Sequence, residues 1–215
     1  TLAQRTLISE KTKPYFEKED YESLEAYFSG IQQSFEKGEI DDATLEDTFF
    51  CLSRYFDAED IRQEKFLDRW IAAFPQSYPA HLFKGRFLLF RAGKIRGSKF
   101  RDQTTIEQFE SSARIREEGI RQLRKSLELT GKPLLSLAEI IEASAGYDNP
   151  KFDLFSFSIK SERDTLLAQA NKIYPQNIIA RRDYINSFQP RWGGNYDIMW
   201  SVVADAVASG VEKGR

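Results

Sequence analysis

The chain has 215 residues, 41% of them hydrophobic and 30% charged, with 17 Phe and 9 Tyr. That composition is too aromatic for a disordered chain and too charged for a membrane-embedded one, and the length suffices for one domain over 1–215 with a sizeable core. No run approaches the roughly eighteen apolar residues of a membrane span, so no membrane insertion is expected.

Cys51 is the single cysteine, which excludes an internal disulfide and favours the cytoplasm. The sequence begins at Thr1 rather than Met, so an upstream signal peptide, once removed, would leave a periplasmic or secreted location open. The net charge of −2 hides a segregation: residues 1–75 carry 17 acidic and 9 basic side chains, 76–135 carry 6 and 13, and 136–215 carry 10 and 9. Such asymmetry can steer a charged partner, or it can be neutralised internally where the two thirds pack together.

Glycine and proline punctuate the chain at helix-length intervals, from Pro14 and Gly38 to Pro175 and Pro190. Over 19–37 the spacing of Tyr21, Leu24, Phe28, Ile31 and Phe35 predicts an amphipathic helix stopped by Gly38. Asp41 or Asp42 can cap a second, with Leu45, Phe49, Leu52 and Phe56 inward, and a third over 60–74 carries Phe66, Trp70 and Phe74 up to Pro75. A fourth over 77–92 presents Leu82, Phe83, Phe87, Leu88 and Phe90, a face wide enough to require neighbours on several sides, and Gly93 closes it.

The longest helix is expected over 104–129, with Ile106, Phe109, Ala113, Ile120, Leu123 and Leu127 inward and a capping box of Thr104 with Glu107. Glu110–Arg114, Glu117–Arg121 and Arg124–Glu128 are its predicted i,i+4 ion pairs. After Gly131–Pro133 a helix follows through Leu134, Leu137, Ile140 and Ile141. Residues 146–160 read as an extended loop, because Phe155, Phe157 and Ile159 alternate with serines and no second strand is available to pair them. Helices over 162–174, 177–188 and 195–209 complete about nine, the last with Ile198, Val202, Val203 and Ala206 inward.

Three segments look like degenerate copies of one helix–turn–helix unit: Trp70 to Ala80, Leu123 to Pro133 and Ala170 to Ala180. Each closes a helix, turns near a proline and opens another, so the predicted fold class is all-α, stacked antiparallel helical hairpins packed in a tetratricopeptide-like, irregular array.

Candidate chemistry is sparse. His81 stands alone, thirty residues from Cys51, which is too few ligands for a metal site, and both fit structural roles better than a catalytic dyad. No phosphate-binding glycine loop and no nucleophile elbow occurs, and the abundant carboxylates sit among basic neighbours. No catalytic residue, metal or cofactor is therefore assigned.

The basic run Lys84, Arg86, Arg91, Lys94, Arg96, Lys99 and Arg101 is interleaved with Phe83, Phe87, Phe90 and Phe100. Arg86, Arg91, Lys94, Arg96 and Lys99 are the candidate partner-binding residues. The partner expected first is another protein; nucleic acid is the alternative, because cations neutralise phosphates and rings stack on bases. The segment Pro190-Arg191-Trp192-Gly193-Gly194-Asn195 reads as a compact corner, with the glycines permitting a tight turn and Asn195 capping the last helix.

Arg182-Asp183-Tyr184, the Pro190 to Gly194 corner and Met199, with Trp70, Pro75, Ser77, Ala80, His81, Gly93, Arg96 and Gly97 upstream, resemble a family of bacterial helical proteins of unknown function. In that family an R-x-Y, a P-R-W-G-G-S and a later methionine follow an earlier tryptophan and an R-G pair; here Asn195 stands in place of the serine. The resemblance covers about residues 15–209 and implies a tetratricopeptide-like fold and a bacterial origin, with no activity attached. The functional expectation is a non-enzymatic interaction domain, such as an immunity or adaptor protein, with polyanion binding through 84–101 and an enzyme of unknown chemistry with no recognisable motif as the alternatives.

Overall fold

The computed structural model describes residues 2–53, 56–97, 103–144, 156–189 and 196–211. Among them are ten helices and no strand: α1 Leu2–Glu17, α2 Tyr21–Glu36, α3 Asp42–Ser53, α4 Ile61–Ala73, α5 Tyr78–Arg96, α6 Ile106–Leu127, α7 Leu134–Ala143, α8 Ser156–Ile173, α9 Ile179–Ser187 and α10 Tyr196–Ala208. The all-α expectation holds. The helices group into two compact units, Thr1–Gly131 and Lys132–Arg215, each with its own buried residues.

Several boundaries differ from the sequence pattern for identifiable reasons. α1 continues through Pro14, which lies in its last turn and so removes a single ladder bond. α5 runs past Gly93, whose lone propensity penalty does not stop a helix; the stop is Gly97, at φ +69°, with its N–H bonded to the Gly93 carbonyl at 3.0 Å. The capping box of α6 sits one residue later than expected, on Thr105 and Gln108. Ion pairs on its outer face include Arg121–Glu118 and Lys125–Glu128, spaced by three rather than four.

Residues 156–160, expected within an extended loop, form the first turns of α8; a helix satisfies its own backbone where no partner strand exists. Residues 146–155 of that loop lie outside the described residues. Asp41 accepts the Thr44 N–H at 2.9 Å and caps α3, one of the two capping residues anticipated.

In the first unit α5 is the central element. Residues 78–85 are buried without interruption, more than two full turns, so α5 is covered on every side there. Phe83 gathers the aromatic core: the rings of Phe28, Phe49, Trp70 and Phe56 lie 4.9, 5.5, 5.8 and 6.0 Å from it. Such pairs each contribute about 0.5–1.5 kcal/mol beyond the area they bury.

On the opposite side α5 meets α6 in the most extensive pairing among the described helices. The backbones approach closely because glycines face each other: a Cβ on Gly85 would lie 2.6 Å from Leu123 Cγ and 3.1 Å from the Gly119 carbonyl oxygen. Farther along, the Ser112 hydroxyl donates to the Ala92 carbonyl at 2.8 Å. Phe90, expected in the core, is instead 45% exposed, and Ile106 at the start of α6 is also exposed.

In the second unit α7 is the most buried helix, with Leu134, Leu135, Leu137, Ala138, Ile140 and Ile141 packed between α8 and α9. α8 contributes Leu166 and Ala170, and α9 contributes Ile179, Ala180 and Tyr184. Of the inward set expected on α10, Val202 is buried and Val203 faces solvent.

The glycine crossing has a direct test by urea denaturation. Gly85→Ala is expected to destabilise the protein by about 1–3 kcal/mol, since Leu123 and the α6 backbone must yield. Gly93→Ala, with nothing within 4 Å of the added methyl, is expected to stabilise it by up to about 1 kcal/mol. Equal effects of the two substitutions would contradict the close packing.

Candidate functional site

The basic run divides once its residues are placed on α5. Lys84, only 4% exposed, reaches Glu64 at 3.2 Å and Asp68 at 2.7 Å, two carboxylates one turn apart on α4. Arg91 pairs with the same Glu64. A buried ammonium survives only when such partners replace its water, so these two cations are neutralised by the acidic third of the chain. Arg96 lies over the Phe109 ring at 4.7 Å and donates to Thr104 Oγ1 at 2.8 Å, which fastens the end of α5 to the approach to α6.

The same helix also carries a cation–aromatic strip. Arg86, Phe90 and Lys94 are spaced by four along α5 and so share one side of it. The Arg86 guanidinium sits 5.7 Å from the ring centre of Phe50, contributed by α3, and Lys94 Nζ lies 5.4 Å from that of Phe90. Phe50 is 39% exposed and Phe90 45%. Lys99 lies outside the described residues. Phe90 follows Phe83 by seven residues and Phe87 by three, so periodicity groups it with their buried face, and the sequence does not reveal that its ring is exposed farther along α5.

The Trp70 to His81 segment forms a polar clamp. The buried Trp70 indole donates to Glu25 Oε2 at 3.0 Å, the Ser77 hydroxyl donates to the same carboxylate, and Ser29 Oγ donates to Glu25 Oε1 at 2.7 Å. Ser77 Oγ also accepts the Ala80 N–H at 3.0 Å as the N-cap of α5. Glu25 thereby ties α2 to the turn between α4 and α5, and no local pattern in the sequence marks it.

His81 Nε2 lies 3.2 Å from the Pro75 carbonyl oxygen and Nδ1 2.8 Å from Gln122 Oε1. Both ring nitrogens are thus engaged in packing α5 onto its own turn and onto α6. Cys51 is buried. Among the described residues no group of three His, Cys, Asp or Glu side chains could hold a metal ion.

One hundred residues on, the turn recurs. Tyr174-Pro175-Gln176-Asn177 follows Phe74-Pro75-Gln76-Ser77 in hydrogen bonding: the N–H of residue 74 or 174 reaches back four residues at 2.9 Å, and that of 77 or 177 reaches back three at 3.0 Å. Arg181, six residues after its proline as His81 is after Pro75, donates to the Pro175 carbonyl at 2.7 Å. Its remaining donors reach the Asn177 carbonyl at 2.8 Å, Asp205 Oδ2 at 2.8 Å and Ser209 Oγ at 3.1 Å. The third segment, Leu123 to Pro133, turns differently, its Thr130 and Gly131 bonding to Glu36 instead.

Tyr184 donates to Asp164 and packs its ring 4.7 Å from Phe188, over which the Arg163 guanidinium lies at 4.3 Å. Arg163 also donates to the Ser187 carbonyl at 3.0 Å. Gly97 serves as the stop of α5. Arg191, Trp192, Gly193 and Gly194 lie outside the described residues.

Burial, reinforced by the hydrogen bond to Asp164, raises the Tyr184 phenol above its ordinary value. The unfolded phenol ionises near pH 10 and the folded one only above that, so stability present below about pH 10 is lost as pH rises toward the folded value. Urea melts across alkaline pH are expected to show a shallower loss of stability for Tyr184→Phe than for the parent chain. At neutral pH the variant should be weaker by about 1.5–3 kcal/mol for the missing bond to a carboxylate. Parallel pH slopes would contradict the buried environment of the phenol.

No curated protein and no solved structure matches the chain. Residues 16–158 match a family described as "Domain of unknown function (DUF4034)", a stretch that includes Trp70, His81 and Gly97 and ends before Tyr184 and the Pro190 corner. With about two thirds of its length in that match, the chain belongs to the DUF4034 family.

Proposed function

We propose that the chain is a non-enzymatic binding scaffold for another protein, with the Phe50, Arg86, Phe90 and Lys94 strip of α3 and α5 as its contact surface. The observation that carries this reading is the exposure of two phenylalanine rings, each accompanied by a cation, on otherwise well-packed helices. Interface cores favour aromatic side chains, and the exposed Lys94 suits a partner segment that mixes acidic and apolar residues. In this reading the helix pairs follow one another in a tetratricopeptide-like manner, and the protein is bacterial, acting stoichiometrically as an immunity or adaptor protein does.

A second reading, binding of RNA or another polyanion through residues 84–101, draws on the same pairing of cations with rings. The commitment of Lys84 and Arg91 to Glu64 counts against it, because it leaves fewer charges for phosphate.

Affinity capture from native lysate with the parent chain and the double variant Phe90→Ala/Lys94→Glu separates the two. A single stoichiometric protein, retained at moderate salt and reduced at least tenfold by the double variant while its helical circular dichroism is unchanged, is the expected result. Salt-labile nucleic acid in its place would favour the second reading, and identical captures by parent and variant would remove the strip from the account.

A further inference from the structure

α10 packs on α9 and buries Val202, yet its other side carries four large apolar side chains in solvent: Tyr196 is 65% exposed, Trp200 68%, Val203 37% and Val207 59%. Their spacing of four, three and four places them in one narrow stripe along the helix. Small residues flank the stripe within the helix, Ala204 exposed and Ala206 half-buried, so a second helix can come close.

The stripe has a property that favours one occupant. Its spacing reads the same in both directions, with the two rings in the first half and the two valines in the second. About a twofold axis crossing α10 between Trp200 and Val203, Tyr196 of one copy faces Val207 of the other and Trp200 faces Val203, so every bulky ring meets a short branched chain. A parallel pairing would set tryptophan against tryptophan and valine against valine, with crowding at one end and voids at the other.

We propose that the Tyr196–Trp200–Val203–Val207 stripe is a self-association surface, on which α10 of a second copy lies antiparallel. Aromatic side chains bury about 150–250 Å² each, so with roughly two thirds of each ring exposed and two valines added, each copy covers roughly 400 Å². The pair then buries about 800 Å² in all, short of the roughly 1,200 Å² of a standard stable interface. The dimer is therefore reversible and concentration-dependent. It is independent of the α3 and α5 strip, and neither proposal needs the other.

Sedimentation velocity of the full chain from low-micromolar to near-millimolar concentration tests it. The mass is expected to climb from 24.9 kDa toward twice that value. Trp200→Glu, at an exposed position, is expected to keep the mass of one copy throughout, with helical content and unfolding midpoint unchanged. Orientation is read by disulfide formation: a mixture of the Tyr196→Cys and Val207→Cys chains should cross-link several-fold faster than either alone, with the buried Cys51 not competing. A single-copy mass at every concentration, undiminished association in Trp200→Glu, or Tyr196→Cys alone linking as fast as the mixture would each overturn the proposal.

Discussion

The first unit depends on how α5 is enclosed. Its two faces impose opposite demands: toward α6 the side chains must vanish, as Gly85 and Gly119 do, and toward α2, α3 and α4 they must be large, as Phe83 and Phe87 are. Lys84 sits between those faces and is buried with them. A charge in that position has to be answered, and Glu64 and Asp68 of α4 answer it. The placement of α4 against α5 is thus fixed by charge as well as by the stacking of Trp70 on Phe83.

That arrangement explains the uneven distribution of charge along the chain. The acidic first third and the basic second third meet where α4 lies beside α5, and Glu64 serves both Lys84 and Arg91. What looks in sequence like a cationic tract is therefore partly interior. Of the others, Lys94 is exposed and lies over the exposed Phe90 ring, while the half-buried Arg86 lies over that of Phe50.

Elements whose apolar residues recur at three and four were legible: α2 with Leu24, Phe28 and Phe35, and α4 with Phe66 and Trp70, lie where the spacing predicts. The repeated proline turn was legible as well, and the hydrogen bonds of Phe74 to Ser77 and of Tyr174 to Asn177 coincide. Features set by tertiary packing were not. Glu25 gains its place from Trp70 and Ser77, which lie 45 and 52 residues away, and no local pattern encodes that. Gly93 and Gly97 carry the same residue type, but one is passed over inside a helix and the other ends it, a difference that resides in the positive φ of Gly97. The alternation of Phe155, Phe157 and Ile159 with serines suggests an extended loop instead of the start of α8 because five residues are too few to separate the two periods.

With α5 enclosed on every side and closed against α6 by Gly85 and Gly119, this crossing is predicted to be the last part of the first unit to open. Native-state amide hydrogen exchange addresses it most directly, because protection reports the free energy of the opening that exposes each amide. The amides of Leu82 to Leu88 and of Gly119 to Leu123 are predicted to exchange only through complete unfolding of the unit, with α3 opening at lower free energy. Exchange of the α5 amides by local opening, at or below the free energy for α3, would contradict the account.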